Sequence, residues 1–152
     1  MVSLRPATPD DAAALVPWVV ELNRQEHITT PEPDIRRALH HLLVNPGLGR
    51  LWWVDPDPDR PPIGYAIVTF GYDLEYAGRD AYLTELFLAP DARGKGHGRA
   101  AIDALVGVLP ALEVRALHLL VRRDNAPAIA LYQRTGFVET PRAFMTRLIT
   151  PA

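Results

Sequence analysis

Arg93-Gly94-Lys95-Gly96-His97-Gly98 (RGKGHG) separates the apolar run AYLTELFLAP (81–90) from RAAIDALVGVL (99–109). The first run is short, rich in strand formers and closed by proline, so it reads as a β-strand. The second repeats Ile102, Leu105, Val106 and Leu109 at helical spacing. The glycine stretch therefore lies where a strand hands over to a helix. A helix start carries unpaired N–H groups and a partial positive charge, which together attract anions. Without Cβ atoms at Gly94, Gly96 and Gly98, successive amides can turn toward one point, and Arg93, Lys95 and Arg99 can pair with phosphate oxygens. The pattern suits a phosphorylated ligand held at a helix start; the plainer alternative is a flexible surface turn.

Two familiar nucleotide loops do not fit. The hydrolase loop GxxxxGK[ST] is missing, because no Gly-Lys pair is followed by Ser or Thr. The dinucleotide pattern GxGxxG fails as well, with Arg99 or Ala101 standing where the third glycine belongs.

Outside this stretch the chain is ordinary in bulk. Its 152 residues, 48% hydrophobic and 22% charged, suit one folded domain spanning 1–152 with a core that needs no staples. A net charge of −2 offers no basic face for nucleic acid or acidic lipid. No apolar run is long enough to span a bilayer. The opening residues MVSLRPATPDD lack the basic-then-apolar order of a secretory signal, which points to the cytoplasm. The absence of cysteine excludes disulfides, zinc-thiolate sites and a covalent cysteine intermediate.

Working outward, residues 2–6 read as a strand, followed by a helix to about His27 that Pro17 should bend or split. A helix over 34–44 carries Ile35, Leu39, Leu42 and Leu43 on one face. Strands are predicted over 51–54, 63–71 and 81–88, with the proline-rich turn 55–62 and the loop YDLEYAGRD (72–80) between them. After the glycine helix come a strand over 115–121, a helix from about Asp124 through Arg134, and strands at 137–138 and 143–149. The adjacent strands 63–71 and 81–88, with no helix between, favour antiparallel pairing. The expected fold is α/β with a mixed sheet, antiparallel early and parallel around the glycine helix, and helices on both faces.

At this level the chain resembles the GNAT superfamily, the GCN5-related N-acetyltransferases. Their acetyl-CoA loop, [Q/R]xxGx[G/A], is matched by Arg93, Gly96 and Gly98. ELFLAPDARGKGHG (85–98) is similar to the family's strand, turn and pyrophosphate loop. RRDNAPAIALYQRTGFVE (122–139) is similar to its second region, with Asn125, Tyr132 and Gly136-Phe137 in the usual relative places. Two regions matching together are specific where the loop alone would not be.

The resemblance implies roles residue by residue. Backbone groups of Phe87, Leu88 and Ala89 would meet the pantetheine arm and the acetyl oxygen, and amides from Arg93 through Gly94, Lys95, Gly96, His97 and Gly98 to Arg99 the pyrophosphate. Tyr132 would protonate the departing thiolate; the alternative is a tyrosine packed on the core side of its helix. Asn125 would bond the coenzyme arm, cap its helix, or both. A substrate amine is mostly protonated near neutral pH, so a base is needed. Glu85 is the candidate, with an ordinary solvent-facing glutamate as the rival reading. In the loop, Tyr72, Asp73, Glu75 and Tyr76 combine acids with aromatics in a way that suits a cationic amine, or they form a solvated turn with two anchoring rings.

The implied function is transfer of acetyl from acetyl-CoA to a primary amine, on a small molecule, by direct attack in a ternary complex. The alternatives are a protein or peptide acceptor and a non-catalytic acyl-CoA sensor; the presence of both Glu85 and Tyr132 favours the enzyme. A homodimer is expected because relatives commonly pair. No metal is expected: adjacent His40 and His41 point to different sides of a helix, and His27, His97 and His118 complete no ligand pattern. Trp52 and Trp53 face opposite sides of a strand, so at least one belongs to the core. Ser3 is the only serine, and no Gly-x-Ser-x-Gly elbow exists, which removes serine hydrolysis.

Overall fold

Alternating apolar residues and short turns produce five strands, which the computed structural model of the chain, describing residues 1–150, sets side by side in chain order. They are β1 (Ser3–Pro6), β2 (Gly49–Asp55), β3 (Gly64–Asp73), β4 (Gly78–Leu88) and β5 (Val114–His118). The first four run antiparallel, and β5 joins β4 in parallel. The parallel pair needs a crossover, which α3 (His97–Val108) supplies after the glycine stretch. The mixed α/β sheet anticipated from the sequence is the one observed.

Helices α1 (Ala12–Gln25) and α2 (Glu32–Val44) cover one face. Leu15, Val16, Val19, Ile35 and Leu39 bury themselves there against Leu51, Trp53, Tyr65, Ile67 and Phe87. On the other face α3 and α4 (Ala126–Arg134) pack on Trp52, Ala66, Val68, Ala81 and Leu83. Each large side chain removed from water contributes about 1.5–3 kcal/mol. Trp52 and Trp53 are both core residues, one in each layer. Pro17 neither splits nor ends α1. It removes one ladder donor, while its neighbours Leu15, Val16 and Val19 keep that helix face buried.

The chain end departs from expectation. Residues 137–138 and 143–149 form no strand, and Val138, Phe144, Met145, Leu148 and Ile149 are exposed. Apolar, strand-forming residues make a strand only where an edge and an apolar face receive them. Here the segment is tied by side chains instead, Arg123 to Glu139 at 3.1 Å and Arg142 to Glu75 at 2.6 Å. Among the described residues no helix is long and apolar enough to cross a membrane.

Candidate active site

Halfway along, β4 changes its neighbours. Leu83 pairs with Val68 and Glu85 with Ile67, so Thr84 is an extra residue in the ladder, its hydroxyl bonded to the Ile67 carbonyl at 3.2 Å. Such a bulge bends the strand and resets its alternation. Ala81 and Leu83 consequently face the α3 layer, whereas Glu85 shares the α1–α2 side with Phe87. Pairing with β5 stops at Tyr82 and His118. From Leu83 to Leu88 the outer edge of β4 has no strand beside it, and a gap opens toward the glycine stretch.

Which amides face that gap follows from the ladder. Ala89 donates its N–H to Ile63 at 2.8 Å, so by alternation Phe87 also turns its polar groups to β3. Leu86 and Leu88 are left pointing into the gap. Of Phe87, Leu88 and Ala89, only Leu88 offers its N–H there, and Leu86 joins it. Sequence alone carried no sign of this, because the register of β3 on β4 decides it.

In the loop, Gly94 and Gly96 have φ of 72° and 83°, where a side chain would be strained, and Gly96 caps α3. The first amides of α3, from His97 to Arg99, face outward unpaired by the helix. Gly98 has a different reason: a Cβ there would lie 3.1 Å from Leu131, so it permits α3 and α4 to approach. Lys95 and Arg99 are exposed, the latter 3.8 Å from Asp103. The Arg93 side chain turns back, donating to the Leu88 carbonyl at 2.9 Å and to Gln25 at 3.3 Å. These contacts tie the end of β4 to α1.

Glu85 lines a cleft of about 290 Å³ between the α1–α2 side and the sheet, with Asn23, Thr30, Asp34, Thr69 and Thr84 as polar neighbours and Ile28, Ile35 and Leu39 among the apolar ones. Tyr65, fully buried, donates its hydroxyl to Glu85 Oε1 at 2.8 Å. Burial pushes the Glu85 carboxyl above its usual range, and the tyrosine bond holds it back only in part. A wider hollow of about 760 Å³, near Pro9, Arg36 and His40, shares no residue with this cleft and has none of its chemistry.

Tyr132 is half-buried against Phe137, with ring centroids 5.7 Å apart. Burial first, and the Glu26 charge second, raise its pKa, so the phenol keeps its proton. Asn125 caps α4, accepting from the Ala128 N–H at 3.3 Å. The loop acids are less free than their composition suggests. Asp73 accepts from the Glu75 N–H at 2.9 Å, closing the turn, and Glu75 is paired to Arg142. Tyr72 is exposed, and Tyr76 lies with its ring 5.3 Å from His118. By strand rise this turn is about 20 Å from Glu85. His118, unassigned in the sequence reading, is 3.0 Å from Asp80, a partner 38 residues away that no local pattern could reveal. Among the described residues no group of three or more His, Asp or Glu could hold a metal ion.

Direct comparison bears on the family that the glycine loop and the second region resemble. The sequence pattern of the Acetyltransferase (GNAT) family matches residues 14–137. The chain belongs to that family. It is 30% identical over 145 residues to the mycothiol acetyltransferase of Clavibacter michiganensis subsp. michiganensis, covering 90% of this chain but 42% of that relative. Among solved structures, the integron cassette protein HFX_CASS3 from the Cole Harbour Salt Marsh metagenome superposes with a TM-score of 0.83 at 30% identity, over 99% of this chain and 92% of that one. A predicted acetyltransferase of Clostridium acetobutylicum, solved with acetyl-CoA, gives 0.77 at 21% identity, over 97% and 96% of the two chains, and bears on the fold.

Proposed function

We propose that this GNAT-family protein moves an acetyl group from acetyl-CoA to a primary amine on a small molecule. The observation that carries the proposal is the open edge of β4, with a glycine-capped helix start at one end and a buried carboxylate at the other. Amides of α3 and the loop would hold the diphosphate, and Leu86 and Leu88 would hold the pantetheine arm and the acetyl oxygen. Glu85 takes a proton from the ammonium, directly or through water. The freed nitrogen attacks the acetyl carbon, the C–N bond forms and the C–S bond breaks. Tyr132 then gives its proton to the departing thiolate and recovers one from the new amide nitrogen through water, while Glu85 releases its proton to solvent. Holding amine and thioester together replaces a bimolecular encounter.

The 290 Å³ cleft, walled by α1 and α2, supports a small acceptor over a folded protein surface. Work in the cytoplasm as a homodimer is part of the same proposal and rests on the family resemblance. Calorimetry with acetyl-CoA tests the first half, and thiol release with a panel of amines, aminoglycosides and short peptides tests the second. Uptake of acetyl-CoA followed by turnover of an amine is the expected result. Absence of acetyl-CoA uptake by folded protein defeats the proposal, and turnover confined to peptides transfers it to a protein acceptor.

A further inference from the structure

Beyond the cleft, the same sheet face carries an ionisable cluster that the proposed chemistry leaves unused. Asp80 on β4 is only 6% exposed, and its Oδ2 lies 3.0 Å from His118 Nε2 on β5. A carboxylate buried to this degree needs a donor. When Nε2–H serves it, the neutral imidazole keeps its lone pair on Nδ1, which can accept a hydrogen bond. The rings of Tyr82 and Tyr76 stand 5.0 and 5.3 Å from the imidazole. The cluster therefore combines two aromatic faces, one free nitrogen lone pair and a buried negative charge behind it. Each of these attracts an ammonium group.

Its position is set by the ladder. Tyr82 pairs with Thr69 on one side and His118 on the other, while Thr69, Thr84 and Glu85 line the cleft. Strand spacing and rise then put His118 about 9 Å from Glu85, on the same face. The surface stays open along this line: the His118 side chain is 25% exposed, Tyr82 is 37% exposed and Leu120 is 59% exposed. Of the nearby cations, Arg79 lies on the other face, over the Phe70 ring and bonded to the Leu112 carbonyl, and Arg142 is neutralised by Glu75. Arg115 is on the same face, but it is exposed and lies against Gly78, four residues along β4 from Tyr82 on the side away from Glu85. A role confined to holding β5 in place is not needed, because four paired rungs and the Arg79 bond already do that.

We propose that Tyr76, Tyr82 and the Asp80-oriented His118 form a second subsite that anchors a distal ammonium of the acceptor, selecting amines with two nitrogens roughly 9 Å apart. This rests on the acetyltransfer reading, since it takes Glu85 to mark the place of the reacting nitrogen. Spermidine is a probe of suitable length, and propylamine a probe with one nitrogen. Calorimetry is run with each amine, with and without coenzyme A, on the wild type, His118→Ala and Tyr82→Leu. Spermidine should bind the wild type at least about tenfold tighter than propylamine. Each substitution should erase most of that margin and leave propylamine unchanged, a difference that general loosening of the fold would not produce. Equal affinity of the two amines for the wild type overturns the subsite, as does equal weakening of both in folded variants. These outcomes are separable from failure of the acetyltransfer reading, which shows as absent uptake of acetyl-CoA whatever the amines do.

Discussion

The two halves of β4 have the same neighbour on one side and opposite fates on the other. From Arg79 to Tyr82 the strand is held between β3 and β5, and its backbone edges are both used, with Asp80 bonded to His118 and Arg79 to the Leu112 carbonyl. From Glu85 to Leu88 it keeps β3 alone. One inserted residue, Thr84, divides a wall from a binding edge. The difference shows that a strand becomes a site when its hydrogen bonds are left unmade in a controlled place, and a bulge is a compact way to do so.

Removing Thr84 should break the comparison with the largest effect. Leu83 and Glu85 would then pair with Val68 and Ile67 as consecutive rungs, and neither face would change its side chains. The bend would go, β5 could follow β4 further, and the amides of Leu86 and Leu88 would lose the gap. With two hydrogen bonds lost at about 1.5 kcal/mol each, the acetyl-CoA Kd should rise about a hundredfold. A melting curve checks that the deletion still folds, and unchanged affinity in a folded protein would mean that the bulge does not make the site.

Glu85→Gln should lower kcat about 10²- to 10³-fold with little effect on coenzyme binding. It should also stabilise. The folded carboxyl titrates above its ordinary value, so between that value and the raised one the folded state holds a proton that the unfolded state has released. Stability from this group is complete below the ordinary carboxyl pKa and falls as pH rises through the window. Melts of the variant and wild type should nearly coincide near pH 4 and separate toward pH 7, the variant higher. Tyr132→Phe comes next, with turnover down roughly tenfold to a hundredfold while the acetyl-CoA Kd holds steady. Equal turnover at saturating amine would return Tyr132 to a packing role. Tyr65→Phe should be milder: loss of its bond removes what favours the carboxylate, so the acid limb of kcat/KM moves to higher pH and the plateau changes little.

Much of this was legible in the residues. RGKGHG and the apolar runs beside it place the strand-to-helix junction, and the order of elements foretells the mixed sheet. Local chemistry was enough wherever a feature depends on spacing along the chain. It failed wherever a partner lies far away. The bulge depends on how β3 is registered against β4, and the Tyr65–Glu85 and Asp80–His118 contacts join residues 20 and 38 apart. Glu85 seemed to alternate with both Leu83 and Phe87, yet the extra residue sends Leu83 to the opposite face. The segment 143–149 carries apolar residues as a strand would, but secondary structure needs an acceptor edge as well as composition.

The smallest effect should come from the turn between β3 and β4, whose acids looked from the sequence like an amine-binding wall. Asp73 closes the turn and Glu75 meets Arg142, a pair with both side chains largely open to water. Exposed pairs of this kind contribute about 0–1 kcal/mol. Glu75→Gln should therefore move the melting temperature by no more than a few degrees and the amine KM by less than about twofold. Raised salt should reproduce the stability change in the wild type, because screening weakens the same pair. A tenfold rise in KM would show that the acceptor passes Tyr76 and reaches Glu75 at the tip of the turn, some 20 Å from Glu85 by strand rise. The distal subsite would then have to be extended from His118 to the end of the β3–β4 hairpin.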